Sequence, residues 1–365
     1  MPESVQKFGI IGGGQLARML VSKAQQIGMQ AHVLSAQQDD PAAQVTRYWH
    51  QGDANDVATL KSFLEKVDVA TFESEFLDVE KVKLASQFAK KDLYPSPQVM
   101  GLLQDRKTQK KLLDDSKIAT APWIFVEHKF QAKEVLRTLG QEMILKKCRF
   151  GYDGYGTFKV KSPSQLNEIF ESPDSYGYIA EAKIKFKREL AFMMIRDRSG
   201  NTLSLPLVES FQENSKCLWV RGPIRHKRFR KLETQMKNLL KKINYVGAMG
   251  IELFDNDDEL LVNELAPRVH NSAHYSMDAL THDQFLLHVM AVAGLRIPKS
   301  NTQQTKAFAM YNLIGKNLNQ NLVQKDLFYH WYGKQEVRPG RKMGHVNALG
   351  STPELTLQKI IKGIK

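Results

Sequence analysis

Residues 251–274, IELFDNDDELLVNELAPRVHNSAH, constrain this chain more than any other stretch, because they set two carboxylates and a cluster of donors into an otherwise apolar span. Residues 246–254 and 260–265 read as strands joined by the acidic turn 255–259, a β-hairpin. Side chains alternate along a strand, and paired positions of a hairpin share a constant numerical sum, so Glu252 and Glu264 are expected on one face. Like charges held that close call for a cation or a proton between them, and hard oxygen ligands suit Mg²⁺ carrying polyphosphate. The pair is therefore a candidate metal site, against the plainer reading of two solvated edge residues. Ala266-Pro267 then ends the strand, and Arg268, Val269, His270, Asn271, Ser272 and His274 follow, a donor-rich run with the character of an anion-handling loop.

Around this hairpin the chain has room for two or three domains in its 365 residues. With 42% hydrophobic and 25% charged residues, the composition is that of a globular protein. No apolar run approaches the ~20 residues that span a bilayer, so no membrane association is expected and the cytoplasm is the default location. Cys148 and Cys217 are too few for a disulfide framework and lack zinc-site spacing. The net charge of +13 is concentrated in part at Arg221, Arg225, His226, Lys227, Arg228, Arg230 and Lys231, with further lysines in 237–242. A solvated basic face accounts for it, and no interleaved aromatics point to nucleic acid.

From the N-terminus, residues 6–11 read as a strand, Gly12-Gly13-Gly14-Gln15-Leu16-Ala17 as a glycine turn, and the spacing of Leu16, Met19, Leu20, Ala24 and Ile27 as a helix. Gly12, Gly14 and Ala17 fit the loose dinucleotide fingerprint, in which backbone amides approach a phosphate. The next strand, however, runs into Ser35-Ala36-Gln37-Gln38 without the acidic residue a nicotinamide ribose needs. A buried strand over 67–72 opens onto Glu73-Ser74-Glu75, at the end where open α/β sheets hold ligands. Pro95-Ser96-Pro97 marks a boundary, and Arg106 lies on the helix that follows. Residues 143–148 and 157–160 are strands flanking Gly151-Tyr152-Asp153-Gly154-Tyr155-Gly156, a tip whose amides can fold over phosphate as a lid. It lacks the ending of a Walker A loop. A strand over 178–184 is followed by one over 189–195, whose leading Glu189 can accept two hydrogen bonds, as vicinal ribose hydroxyls require. Near the C-terminus, Lys334, Arg338 and Arg341 surround a Pro-Gly turn, a donor set suited to phosphate.

The motifs NELAPRVHNSAH, GGGQL, DR-x-TQK, TAPW and GYDGYG together resemble the N5-carboxyaminoimidazole ribonucleotide synthetases of the ATP-grasp superfamily, in order from about residue 8 to residue 347. The resemblance implies an α/β ATP-grasp fold with a Rossmann-like pre-ATP-grasp domain (1–97), an ATP-grasp domain (98–298) with a lid at about 120–182, and a small β-rich C-terminal domain (299–365). It implies ATP-dependent carboxylation of aminoimidazole ribonucleotide by bicarbonate through carboxyphosphate, with Mg²⁺, without biotin, in a homodimer. ATP would meet Arg106, Lys146, the lid residues Gly151, Tyr152, Asp153, Gly154, Tyr155, Gly156 and Thr157, the linker Glu181, Ala182, Lys183 and Ile184, and Glu189, Gln212, Asn263 and Glu264. Gln15, Leu16, Glu73, Lys334, Arg338 and Arg341 would hold the acceptor nucleotide. Glu252 and Glu264 would hold the metal, and Arg268, His270 and Asn271 would orient bicarbonate. Ala17, Ser74, Phe76, Gln212, the basic block from Arg221 and an extra residue near Gln335 depart from the family pattern. Three other readings remain at this stage: another ATP-grasp ligase, such as a formate-dependent transformylase or a biotin carboxylase; a nicotinamide oxidoreductase; and a nucleic-acid-binding module.

Overall fold

The apolar run after Gln6 forms β1 (Lys7–Ile11), and the glycine turn delivers it into α1 (Gln15–Gln26), which buries Leu16, Ala17, Met19, Leu20, Val21 and Ala24. The chain then gives β2 (Gln30–Ser35), β3 (Tyr48–Gln51), α2 (Val57–Leu64), β4 (Val69–Phe72) and α3 (Val79–Ala89). These strands form a parallel sheet in the order β3-β2-β1-β4. Strand order reverses beside β1, so the carboxyl ends of β1 and β4 open a crevice between them. The computed structural model describes residues 5–127, 132–140, 142–151, 154–169, 176–303, 305–316 and 324–364.

Pro97 does more than interrupt the chain. It occupies the first turn of α4 (Pro97–Gln104), where its missing N–H costs nothing, and Ser96 caps that helix by accepting from Val99 N–H. Asp105 caps α5 (Arg106–Asp115) through Lys107 and Thr108 N–H. A four-stranded antiparallel sheet follows, ordered β5-β8-β6-β7: β5 (Trp123–Val126), β6 (Met143–Lys147), β7 (Thr157–Val160) and β8 (Tyr178–Ala182). With α6 (Ala132–Leu139) and α7 (Pro163–Ile169) it encloses its own core around Val126, Val135, Leu145 and Leu166.

The central sheet is built on β9 (Arg188–Arg196), which is buried on both faces from Leu190 onward. Alternation sends Leu190, Phe192 and Met194 into one core and Ala191, Met193 and Ile195 into another. It pairs with β10 (Thr202–Ser204), β11 (Val208–Glu213) and β13 (Gly247–Asp255), and β12 (Lys216–Gly222) and β14 (Leu260–Ala266) lie beyond β11 and β13. Helix α8 (Phe229–Lys242) covers one face with Leu232, Met236, Leu239 and Leu240, and its basic residues point to solvent. After the short α9 (Ser276–Ala279), α10 (Gln284–Ala293) covers the other face. The strands of the β-rich C-terminal part share a sheet with the central ones. β15 (Ala307–Ile314), β16 (Phe328–Trp331) and β17 (Lys342–Gly350) extend the central sheet from β12, and α11 (Pro353–Gly363) packs on them. Among the described residues no helix is long and apolar enough to cross a membrane.

The first sheet is fastened to the central one through α10. Thr71 Oγ1 and His288 Nε2 lie 2.8 Å apart, and Lys23 Nζ of α1 lies 2.8 Å from Asp283 Oδ2. Asp283 also caps α10 by accepting from Phe285 and Leu286 N–H. Asp283→Ala removes a cap and a nearly buried ion pair at once. Urea unfolding monitored by circular dichroism is expected to show a loss of about 2–4 kcal/mol, more than an exposed cap alone would give.

Candidate functional site

The two carboxylates face each other, but not by simple hairpin arithmetic. Near the turn, Asp255 pairs with Leu260, Phe254 with Leu261 and Leu253 with Val262, a register in which an even residue opposes an odd one. Continued, it would set Glu252 opposite Asn263. A bulge between Glu252 and Leu253 shifts the register by one and brings Glu264 directly across from Glu252. Asn263 and Glu264 then both line the cavity. Burial, then Glu264, then Glu189 push the Glu252 carboxyl up to about 7.

The cavity, about 1140 Å³, lies where the three sheets meet. On one side, Arg106 Nη2 donates to Glu264 Oε1 at 3.0 Å, while its Nη1 reaches Lys147 O at 3.0 Å and its Nη2 also reaches Gly151 O at 3.3 Å. One guanidinium thus joins the acidic pair to the glycine tip. Lys146 Nζ sits 2.6 Å from Glu181 Oε2 and 3.0 Å from Asn263 Oδ1. Lys110, buried on α5, takes the other Glu181 oxygen at 2.5 Å and also contacts Thr120 Oγ1. Burial alone would raise Glu181, but Lys146 and Lys110 outweigh it and hold the carboxyl down at about 2.

Gly154, Tyr155, Thr157, Ala182, Lys183 and Ile184 also line the cavity, although the Ala182 N–H is committed to Pro122 O at 2.8 Å. Gly156 does not line it; its carbonyl accepts from Lys147 N–H. Tyr152 and Asp153 lie outside the described residues. Glu189 is raised by burial, partly offset by a hydrogen bond from Gln212, and both are in the wall.

Beyond the hairpin, Arg268 is gripped by a residue of the first sheet. Its Nη2 donates to Glu75 Oε1 at 2.9 Å, its Nε to Glu75 Oε2, and its Nη1 to Val269 O at 3.1 Å. His270 sits over Gly250, where an added Cβ would come within 2.7 Å of the histidine Cβ. Ser272 N–H donates to His270 Nδ1, so the neutral ring carries its proton on Nε2, 3.6 Å from Glu252 Oε1. Burial, with Arg268 and Lys342 nearby, lowers His270 to about 3, so it is neutral near pH 7. Gln284, fully buried, accepts from His270 N–H at 2.7 Å and donates back to His270 O and to His274 Nδ1. Asn271 exchanges two amide hydrogen bonds with Asn312 of β15, at 3.0 and 2.7 Å.

At the far rim the expectations are met only in part. Gln15 and Leu16 line the cavity, but the anion position at the start of α1 is taken by the protein's own Glu73, whose Oε2 accepts from Gly14 N–H at 2.6 Å. Burial raises the Glu73 carboxyl against the pull of the Gly14, Ala17 and Leu16 amides. The glycine turn therefore holds a carboxylate where the loose fingerprint would hold a phosphate. Lys334 and Arg341 reach the cavity; Lys334 Nζ donates to Lys342 O at 2.8 Å and Arg341 Nη1 to Glu336 O at 3.0 Å. Arg338 does not: it is exposed and bonded to Glu336, because the Pro-Gly turn aims it outward. Lys342 takes its place. A bulge at Met343 makes Ile314 oppose Lys342 where Asn312 opposes His345, which returns Lys342 to the cavity face.

Residues 5–104 match the ribonucleotide synthetase preATP-grasp domain, 111–285 the ATP-grasp domain, and 309–359 the phosphoribosylaminoimidazole carboxylase C-terminal domain. The N5-carboxyaminoimidazole ribonucleotide synthase of Synechococcus elongatus is 35% identical over 353 residues, covering 94% of this chain and 89% of that one. The chain belongs to the N5-carboxyaminoimidazole ribonucleotide synthase family. A synthase of Brucella melitensis is 36% identical over 350 residues, with 94% and 96% covered. The ADP complex of the Staphylococcus aureus synthetase is similar throughout, with a TM-score of 0.91 at 31% identity, covering 99% of this chain and 97% of that one. The Aspergillus clavatus synthase, solved with ADP and 5-aminoimidazole ribonucleotide, gives 0.88 at 28%, with 99% and 98% covered.

Within this synthase-family chain, the sequence reading did not single out Lys342, which lines the cavity, the supporting residues Lys110, Gln284 and Asn312 behind it, or the Glu75–Arg268 clamp. Lys110 had a signal, since it stands four residues after Arg106 and hence on the same helix face. Asn312 had none, because its partner is 41 residues away. Glu252 supplies a pH test. Its folded value, about 7, lies above the ordinary carboxylate range, so the stability it contributes is present at low pH and lost as pH rises through about 7. Glu252→Gln removes that loss. Thermal unfolding of the ligand-free variant is expected to show a gain on the order of 2 kcal/mol over wild type at pH 8 and little difference at pH 5.

Proposed function

We propose that this protein carboxylates 5-aminoimidazole ribonucleotide with bicarbonate and ATP, giving N5-carboxyaminoimidazole ribonucleotide, ADP and phosphate in purine synthesis. The observation that carries the reading is the Glu252–Glu264 pair, in one cavity with the 268–274 loop and the cations of the C-terminal turn. The ligands named for the Aspergillus clavatus relative support it.

The donor set fits Mg²⁺. Two carboxylates and the Asn263 amide oxygen offer oxygen alone, and among the described residues no group of three or more His, Cys, Asp or Glu side chains could hold a metal ion. Glu252 and Glu264 would hold such an ion, as carboxylates do for Mg²⁺ in nucleotide sites. Bound Mg²⁺ neutralises charge on the transferring phosphoryl group.

Lys146, held between Glu181 and Asn263, reaches the nucleotide phosphates, and Gly151, Gly154, Tyr155 and Thr157 line the cavity beside them. Glu189, with Gln212, accepts from the ribose hydroxyls. Arg106 exchanges Glu264 for phosphate, which also releases its hold on the tip. A bicarbonate oxygen attacks the γ-phosphorus and ADP leaves. Carboxyphosphate then breaks to CO₂ and phosphate, and the exocyclic amine of the acceptor attacks the CO₂ carbon and gives up a proton. Three of the five Arg268 N–H groups are spent on Glu75 and Val269, which leaves two to orient bicarbonate. Neutral His270 adds its Nε2–H, and Asn271 completes the pocket. Lys334, Arg341 and Lys342 hold the acceptor 5′-phosphate. Closure excludes the water that would waste the acyl phosphate.

Phosphate release measured against a panel of acceptors tests the reading. Release is expected only with aminoimidazole ribonucleotide and bicarbonate together; release driven by formate or by biotin instead would assign another ATP-grasp ligase. Glu264→Gln is expected to lower turnover by about a thousandfold with the fold intact. Lys342→Ala is expected to raise the acceptor KM about tenfold with kcat little changed, since it removes a charge-assisted contact made equally in ground and transition states.

A further inference from the structure

Residues 268–278 contain only the short turn at 271–273 and α9, so little of the loop is held by its own backbone ladder. What fixes it is a set of buried polar contacts to the C-terminal strands. Asn347 Nδ2 on β17 donates to His274 O at 3.0 Å and to Asp278 Oδ2 at 2.6 Å. His330 Nε2 on β16 reaches the same Asp278 oxygen at 2.7 Å. The His345 ring lies between His274, 4.9 Å away, and His330, stacked at 4.5 Å. Asn312, opposite His345 in the sheet, holds Asn271. The strand that supplies Asn347 and His345 begins with Lys342, and the bulge at Met343 puts all three on one face.

We infer that Asn347 is a positioning residue through which the C-terminal strands hold the 268–278 loop in register with the phosphate-binding turn. The inference rests on the carboxylation reading above. An apolar filling would serve cohesion as well and at lower desolvation cost. Directional hydrogen bonds, in contrast, favour one arrangement of the loop against the strand: both Asn347 Nδ2 donations go to the loop, while Asn347 Oδ1 and His345 Nε2 are buried without a partner among the described residues. The strand therefore carries acceptor-phosphate cations at one end and the restraints on Asn271 and His274 beyond them. A slip beyond Asn271 leaves Arg268 on Glu75 and the His270 backbone on Gln284, so it should still allow phosphoryl transfer to bicarbonate, yet let the acyl phosphate meet water before the amine captures CO₂.

The experiment measures acceptor consumption and phosphate release together in Asn347→Leu, which keeps the size and removes both donations. The expected result is a kcat for acceptor consumption about tenfold lower, KM for ATP within about twofold, and phosphate released per acceptor consumed rising from one to about three or more. His345→Phe keeps the ring and should stay within about threefold of wild type on every measure. Asn312→Ala, which removes the Asn271 pairing, is the second variant should Asn347→Leu not fold, and the same rise in ratio is expected. A ratio that stays near one in whichever variant folds overturns the inference, however far the rate falls, because a merely structural defect lowers both products equally. Wild-type protein that releases no phosphate in response to this acceptor would sink the carboxylation reading and this inference with it.

Discussion

Electrostatic repulsion between Glu252 and Glu264 is the constraint on which the rest of the site depends. Two carboxylates placed as register partners on a buried hairpin cannot both ionise without counter-charge, and the protein supplies only part of it, with Arg106 on Glu264 and His270, uncharged, beside Glu252. Burial first, and then Glu264 and Glu189, raise the Glu252 carboxyl accordingly. The site is thus built short of positive charge, in a cavity lined elsewhere by Lys146, Arg268, Arg341 and Lys342.

Two of those cations, Lys146 and Arg268, are kept from collapsing onto the pair by acids of their own. Glu181 engages Lys146 and Lys110, and Glu75 engages Arg268 through two parallel hydrogen bonds. Glu73 fills the amide cradle at the start of α1. Each acid comes from a different part of the chain from the group it restrains. The three sheets are consequently joined across the cavity by charge as well as by apolar packing, and Arg106 extends that linkage to the glycine tip.

Much of this was legible in residue order. The hairpin at 246–265, the strand, glycine turn and helix at the N-terminus, and the strands flanking GYDGYG follow from apolar periodicity broken by Gly, Pro and Asp, and the structure forms them within a residue or two. Glu73 and Arg268 were visible because polar groups at the ends of apolar strands have few purely structural uses, Arg341 as one of the cations around a Pro-Gly turn, and Lys146 only through the family resemblance. Arg338 was misread for a related reason: a run of cations around a turn says that some face inward, and not which.

Sequence alone determined the elements, their order and the chemical kinds of side chain at their ends, because these depend on local periodicity and local turn chemistry. Tertiary structure decided the rest. Two bulges, one across from Glu252 and one at Met343, choose which side chains face the cavity, since one inserted residue reverses every later side chain on a strand. The same holds for the edge by which the C-terminal strands join the central sheet, and for Lys110, Glu75 and Asn312, whose partners lie far away along the chain. Pairing between distant segments is settled by the packing of whole sheets, and no local pattern records it.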